Sequence, residues 1–224
     1  MLFRSQDIAM LKLHVVLAID RCGLVGEDGE THHGVFDTGF LRLAPGIKVL
    51  CPASRAELRD MLRWAVNDYD GPVAIRYPRG GDGLLNESCW DNGPVVTYRR
   101  GPDGVIFTYG NLTNEALKAA DILEEKGVRI SVMRLQQIHP LPLDAIGIMY
   151  DGQPTILIAE EAVGGIAENL AWHMKRIAPK AKIFVADLGN SFITHGNIAS
   201  LYRHCGLDAV SLADKMMEVL KIED

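Results

Sequence analysis

Asp20 to Gly34 (DRCGLVGEDGETHHG) concentrates the residue types that do chemistry. Arg21 is a fixed cation, Asp28 an acceptor and His32 a group that titrates near neutrality, while four glycines let the backbone approach a ligand closely. A loop built this way suits a small polar substrate. A second candidate, Arg79, stands in Tyr77-Pro78-Arg79-Gly80. If the strands preceding the two segments run parallel, Arg21 and Arg79 emerge at one sheet edge. Two guanidiniums there form a phosphate clamp, because each offers paired N–H donors to phosphate oxygens.

Strands and helices must hold those loops. Leu13 to Ile19 is apolar except for His14, the pattern of a strand buried on both faces. Ile47 to Cys51 reads as a second strand. Ser54 followed by Glu57 is a capping-box signature for a helix through about Asn67, and Val73 to Tyr77 gives a third strand. Three strands with one clear crossover helix indicate parallel α/β layering. From Arg79 to Pro94 the composition changes, with Gly80, Gly81, Gly83, Asn86, Asp91, Asn92 and Gly93 marking a turn-rich linker.

Beyond the linker the alternation restarts. Strands are expected at Val105–Tyr109, Val128–Met133, Thr155–Ala159 and Lys182–Ala186. Helices are expected at Asn114–Lys126, Leu143–Met149, Gly165–Ile177, Ile198–His204 and Ala209–Leu220. The expected organisation is a partial domain over 1–80, a linker over 81–94 and a complete α/β domain with a mostly parallel sheet over 95–224. A length of 224 residues, against roughly 150 per domain, agrees with one and a half domains.

A net charge of −6 argues against nucleic-acid binding. No apolar run approaches the ~18 residues of a membrane helix and no secretory signal is visible, so the expected compartment is the cytoplasm. Cys22, Cys51, Cys89 and Cys205 lie far apart without a Cys-x-x-Cys pair, which suits reduced thiols better than disulfides or zinc.

Asp20 to Gly34, with Phe36-Asp37, Leu41-Arg42 and Tyr77-Pro78-Arg79-Gly80, closely resembles the 1-deoxy-D-xylulose-5-phosphate synthases, thiamine-diphosphate enzymes of the transketolase superfamily. The likeness continues through Leu135–Leu143 (LQQIHPLPL), Ala159-Glu160-Glu161 with Gly164-Gly165, Phe192-Ile193-Thr194-His195-Gly196 and Cys205-Gly206-Leu207-Asp208. It covers Asp7 to the C-terminus; Met1 to Ser5 match nothing and read as a non-native leader. The resemblance implies the C-terminal half of a pyrimidine-binding domain followed by a transketolase C-terminal domain. The family condenses pyruvate with glyceraldehyde 3-phosphate, with loss of carbon dioxide, in isoprenoid precursor synthesis. The cofactor carries the carbon chemistry and protein groups orient it. By motif position, Arg21 and Arg79 would hold the substrate phosphate, and Asp28 and His32 would bind reacting carbonyl or hydroxyl groups and assist proton transfer. His33, at a variable family position, has a weaker claim.

The family's thiamine diphosphate and Mg²⁺ are held mainly by groups with no counterpart here, including the Glu of an Ala-Glu-Gln-His segment that generates the reactive ylide. The chain alone is therefore expected to be inactive. Family dimers suggest a homodimer, or a separate chain supplying the missing part. Two other readings are a subunit of a split transketolase-like enzyme and a non-catalytic interaction module. The first should start at the beginning of the pyrimidine domain, and the second has no need of Arg21, Asp28, His32 and Arg79 together. Gly81-Asp82-Gly83 with Asn111 imitates a thiamine-enzyme metal signature, but three residues carry little specificity and no metal ligand is assigned. Glu160 and Glu161, adjacent at a strand end, point to opposite sides and cannot form one two-carboxylate site. The role of His195, as cap or binding group, stays open.

Overall fold

The computed structural model describes residues 2–220, with side chains described from Gln6 onward. Helix α1 (Leu2–Met10) leads into β1 (Val16–Ile19), and the glycine-rich loop follows with a single 3-10 turn at Gly26–Asp28. Next come α2 (Asp37–Leu41), β2 (Lys48–Leu50), α3 (Arg55–Asn67) and β3 (Val73–Arg76). Strand β3 lies between β1 and β2 and is parallel to both, with Ile19 level with Arg76 and Leu50 with Ile75. The loops after β1 and β3 therefore leave the sheet at the same edge, as the clamp requires. Helix α3 starts where expected: Ser54 Oγ accepts the Glu57 N–H at 3.1 Å, and Glu57 Oε2 accepts the Ala53 N–H at 2.8 Å.

After the linker come β4 (Val95–Arg99), β5 (Gly104–Tyr109), α4 (Thr113–Glu125), β6 (Ile130–Leu135) and β7 (Gln137–His139). The chain continues through α5 (Leu143–Met149), β8 (Thr155–Ala159), α6 (Ala167–Ile177), β9 (Lys182–Ala186), α7 (Ile198–His204) and α8 (Ala209–Leu220). The second sheet has the order β4-β6-β5-β8-β9 and is parallel except for β4. Its central strands β5 and β8 are buried throughout, as their mostly apolar runs require.

Three expectations are corrected. Leu13 to Ile19 is not a strand buried on both faces: the strand begins at Val16, occupies an edge of its sheet and is only half-buried, with Leu13 44% exposed. Leu17 and Ile19 pack on one core and Val16 on another, but an edge position leaves each only partly covered. Strands β4 and β7 were not anticipated. The first is a short antiparallel edge strand interrupted by a register shift, and the second has only three residues. Residues 2–5 lie in α1, a helix that polar Arg4, Ser5, Gln6 and Asp7 hid; Met1 lies outside the described residues.

Strand β7 leaves the second half of the chain and pairs antiparallel with β2, Val49 facing His139, so the first sheet has the order β1-β3-β2-β7. One apolar core runs through both sheets, from Leu41, Ile47 and Val49 to Phe107, Met133, Ile138 and Leu170. A buried ion pair adds a second link. Glu57 of α3 receives Arg134 of β6 through both terminal guanidinium nitrogens at 2.5 Å, and Gln136 Nε2 at 2.7 Å. Burial pushes the Glu57 carboxyl up, but Arg134 and the Ala53 N–H outweigh it and hold the group below its ordinary value.

Candidate functional site

The loop after β1 is closed at its base by reciprocal hydrogen bonds between Gly23 and Gly34, both 2.9 Å. Glycine is required there: a Cβ on Gly34 would lie 2.2 Å from the Arg21 carbonyl oxygen, and one on Gly23 would lie 2.4 Å from the Glu161 carboxyl carbon. Arg21 takes a left-handed conformation, φ 60°, with its N–H on Asp20 Oδ1 at 2.8 Å and its guanidinium on Asp20 Oδ2 at 2.9 Å.

Asp28 is the hub of the predicted residues. Its carboxylate ion-pairs with Arg79, and Arg21 Nε lies 3.7 Å from the same oxygen. The hydrogen bond from Arg79, aided by the charge of Arg21 and of His32, holds the Asp28 carboxyl below its ordinary value. His32 is exposed in the same loop, with Nδ1 3.1 Å from Thr31 Oγ1. The structure thus gathers Arg21, Asp28, His32 and Arg79 at one sheet edge.

The other histidines behave differently. His33 is buried: its Nδ1 accepts the Val25 N–H at 3.0 Å, which puts the proton on Nε2, facing the Thr194 carbonyl at 3.3 Å. It fastens the loop to the segment before α7. His195 is exposed beside Gly29, and Asn197 caps α7 by accepting the Ser200 N–H at 2.9 Å.

Beneath the loop lies polar support that sequence reading missed. Arg76, 5% exposed inside β3, grips Asp37 with Nε and Nη2, both 2.8 Å, and donates to the Gly34 carbonyl at 3.3 Å. Cys22 Sγ donates to Asp37 at 3.1 Å; burial and the Asp37 charge push its thiol far up, so it is not a thiolate nucleophile. The available signal was Arg76 itself, a charge inside an apolar strand that must find a partner.

The two adjacent glutamates have separate partners. Glu160 accepts Ile166 N–H (2.8 Å), Ala167 N–H (3.0 Å) and Tyr109 O–H (3.0 Å), capping α6. Glu161 accepts Leu24 N–H at 2.6 Å and Tyr202 O–H at 3.0 Å, and burial pushes its carboxyl up to about 7. It holds the glycine-rich loop against α7.

A cleft of about 440 Å³ opens where β3 ends and α3 begins, lined by Arg79, Arg55, Asp20, Tyr77, Asp82 and Asn111 among others. Gly81, Asp82 and Asn111 do meet there. They do not fit Mg²⁺: Asp82 Oδ1 is taken by the Arg55 N–H at 2.7 Å and Asn111 Oδ1 by Asn114 Nδ2 at 2.8 Å, and the two guanidiniums beside them oppose a cation. Among the described residues, no group of three or more His, Cys, Asp and Glu side chains is placed to hold a metal ion, and no helix is long and apolar enough to cross a membrane.

Residues 3–81 match the transketolase pyrimidine-binding domain and residues 93–212 the transketolase C-terminal domain. The match begins at residue 3, so the reading of the first five residues as unrelated fails for residues 3–5. The 1-deoxy-D-xylulose-5-phosphate synthase of Chlorobium phaeovibrioides is 38% identical over 216 residues, covering 94% of this chain and 34% of that protein. The synthase of Chlorobaculum tepidum is 39% identical over 221 residues, covering 96% and 35%. The chain thus spans about a third of the length of these curated relatives. A split-gene transketolase described as an inactive β4 tetramer superposes with a TM-score of 0.83 at 24% identity, over 98% of this chain and 71% of that one. Transketolase from Campylobacter jejuni gives 0.74 at 17%, over 96% and 33%.

Proposed function

Because the chain belongs to the transketolase family, we propose that it is the C-terminal portion of a 1-deoxy-D-xylulose-5-phosphate synthase, the part that receives the phosphorylated aldehyde. The observation that carries this reading is the convergence of Arg21, Asp28 and Arg79 on one sheet edge. Arg79 is the cation that meets the phosphate of glyceraldehyde 3-phosphate, and Arg21, paired with the same Asp28 oxygen, adds its charge beside it. Asp28, kept ionised by them, orients the guanidiniums and accepts a substrate hydroxyl, and exposed His32 supplies or removes a proton at the aldehyde oxygen. The backbone pairing of Gly23 with Gly34 and the buried Arg76–Asp37 pair keep this loop in place before substrate arrives.

The Gly81-Asp82-Gly83 turn and Asn111 do not fit the cofactor's metal, because their ligand oxygens are taken up within the chain, and the residues named here act on the substrate. On this reading the chain alone does not turn over pyruvate and glyceraldehyde 3-phosphate, and it works in the cytoplasm with a complementary polypeptide that brings the cofactor. The test is binding. Calorimetry on the chain should detect glyceraldehyde 3-phosphate, and Arg79→Gln should weaken it at least tenfold, about 1.4 kcal/mol, the scale of one charge-assisted hydrogen bond. Equal affinity for glyceraldehyde and its phosphate would overturn the proposal.

A further inference from the structure

We propose that Arg55 is a further phosphate-binding residue, and that the cleft it shares with Arg79 takes the phosphate monoester group of the substrate. The inference rests on the reading above and adds a residue that neither the motifs nor the family resemblance single out. Arg55 is the first residue of α3, a helix of 13 residues. That end of a helix carries the positive pole of the backbone dipole, which favours carboxylates and disfavours a cation. An arginine there opposes local stability, which the Asp82 carboxylate on the Arg55 N–H offsets in part.

Its side chain has no competing partner of opposite charge. The guanidinium makes one hydrogen bond, Nη2 to the Gly80 carbonyl at 3.2 Å, and among the described residues it forms no ion pair. Four of its five N–H donors stay available to the cleft. The bond to Gly80 also fixes the residue that follows Arg79, so one carbonyl sets the relation between the two cations. Both acids lining the cleft already accept hydrogen bonds within the chain, Asp82 from the Arg55 N–H and Asp20 from Arg21. Arg21 itself is not part of the lining. Two guanidiniums therefore face one space, the complement of a dianion with several acceptor oxygens. Pro52 and Leu58 make apolar wall for a short carbon chain.

The experiment is calorimetric titration of the full chain and its Arg55→Gln, Arg55→Lys and Arg79→Gln variants with glycerol 3-phosphate, inorganic phosphate and glycerol. Arg55→Gln should weaken glycerol 3-phosphate about tenfold, or 1.4 kcal/mol. It should leave the thermal midpoint unchanged or raised, since it removes a cation from the helix start. Arg55→Lys keeps the charge without the paired donors and should fall between; it serves as the variant of record if Arg55→Gln folds poorly. Affinity within twofold of the unaltered chain in both Arg55 variants, with loss on Arg79→Gln, would overturn the role of Arg55 and leave the functional reading standing. Absence of phosphate-ester binding by the unaltered chain, or no loss on Arg79→Gln, would overturn both.

Discussion

Replacing Glu161 by glutamine should change how stability depends on pH, and the size follows from its surroundings. The carboxyl sits between the loop amide of Leu24 and the hydroxyl of Tyr202, and burial raises it from 4.5 to about 7, opposed in part by those hydrogen bonds and by the Arg76 charge. Between those pH values the folded chain keeps a proton that the unfolded chain has released. The stabilisation is therefore complete below the lower value and lost as pH rises past the upper one. Over that gap, at 1.36 kcal/mol per pH unit, the loss is about 3 kcal/mol, of which about 2.5 kcal/mol falls between pH 5 and pH 8. Glutamine cannot titrate. Its carbonyl can still accept the Leu24 N–H, and its amide can donate to a Tyr202 hydroxyl turned to accept. Urea unfolding of both chains at pH 5 and pH 8, followed by the fluorescence of Trp64 and Trp90, should show Glu161→Gln gaining on the unaltered chain by about 2 kcal/mol at the higher pH, somewhat less than the full figure because water reaches part of the site. The same difference between the chains at both pH values would refute the argument.

Arg134→Met should cost about 3–5 kcal/mol, because it leaves the Glu57 carboxylate buried with no cation, and adding Glu57→Gln should recover a large part; denaturant unfolding of the three variants checks both statements. Amide hydrogen exchange should be faster in the half-buried edge strand β1 than in the fully buried central strand β5, and equal protection would contradict the link drawn between edge position and local opening.

Elements with a clear apolar period and punctuated ends were legible in the amino-acid sequence. Thr155–Ala159 lies between Pro154 and two glutamates, and Lys182–Ala186 ends at Asp187; both strands fall where periodicity places them. The candidate site was legible for a similar reason. Arg21 and Arg79 each stand a few residues past a strand, and parallel strands bring such positions together. Strand β7 was not legible, since Gln137-Ile138-His139 is too short to show a period. Nor were the charge pairings. Glu57 reads correctly as a capping residue, yet nothing near it signals Arg134, 77 residues away, and the Asp37–Arg76 pair spans 39. Such partners are chosen by the tertiary fold, and only the rule that a buried charge must be matched hints that they exist.

The contribution of β7 to the first sheet also sets an order of events during synthesis. The third strand of that sheet is complete at Arg76, but its fourth ends at His139, so for 63 further residues the outer edge of β2 has no neighbour. A nascent chain emerging from its N-terminus must hold that edge open until the second sheet has begun to form. The loops after β1 and β3 are thus assembled early in sequence and secured late in time, by a strand that belongs to the other half of the chain.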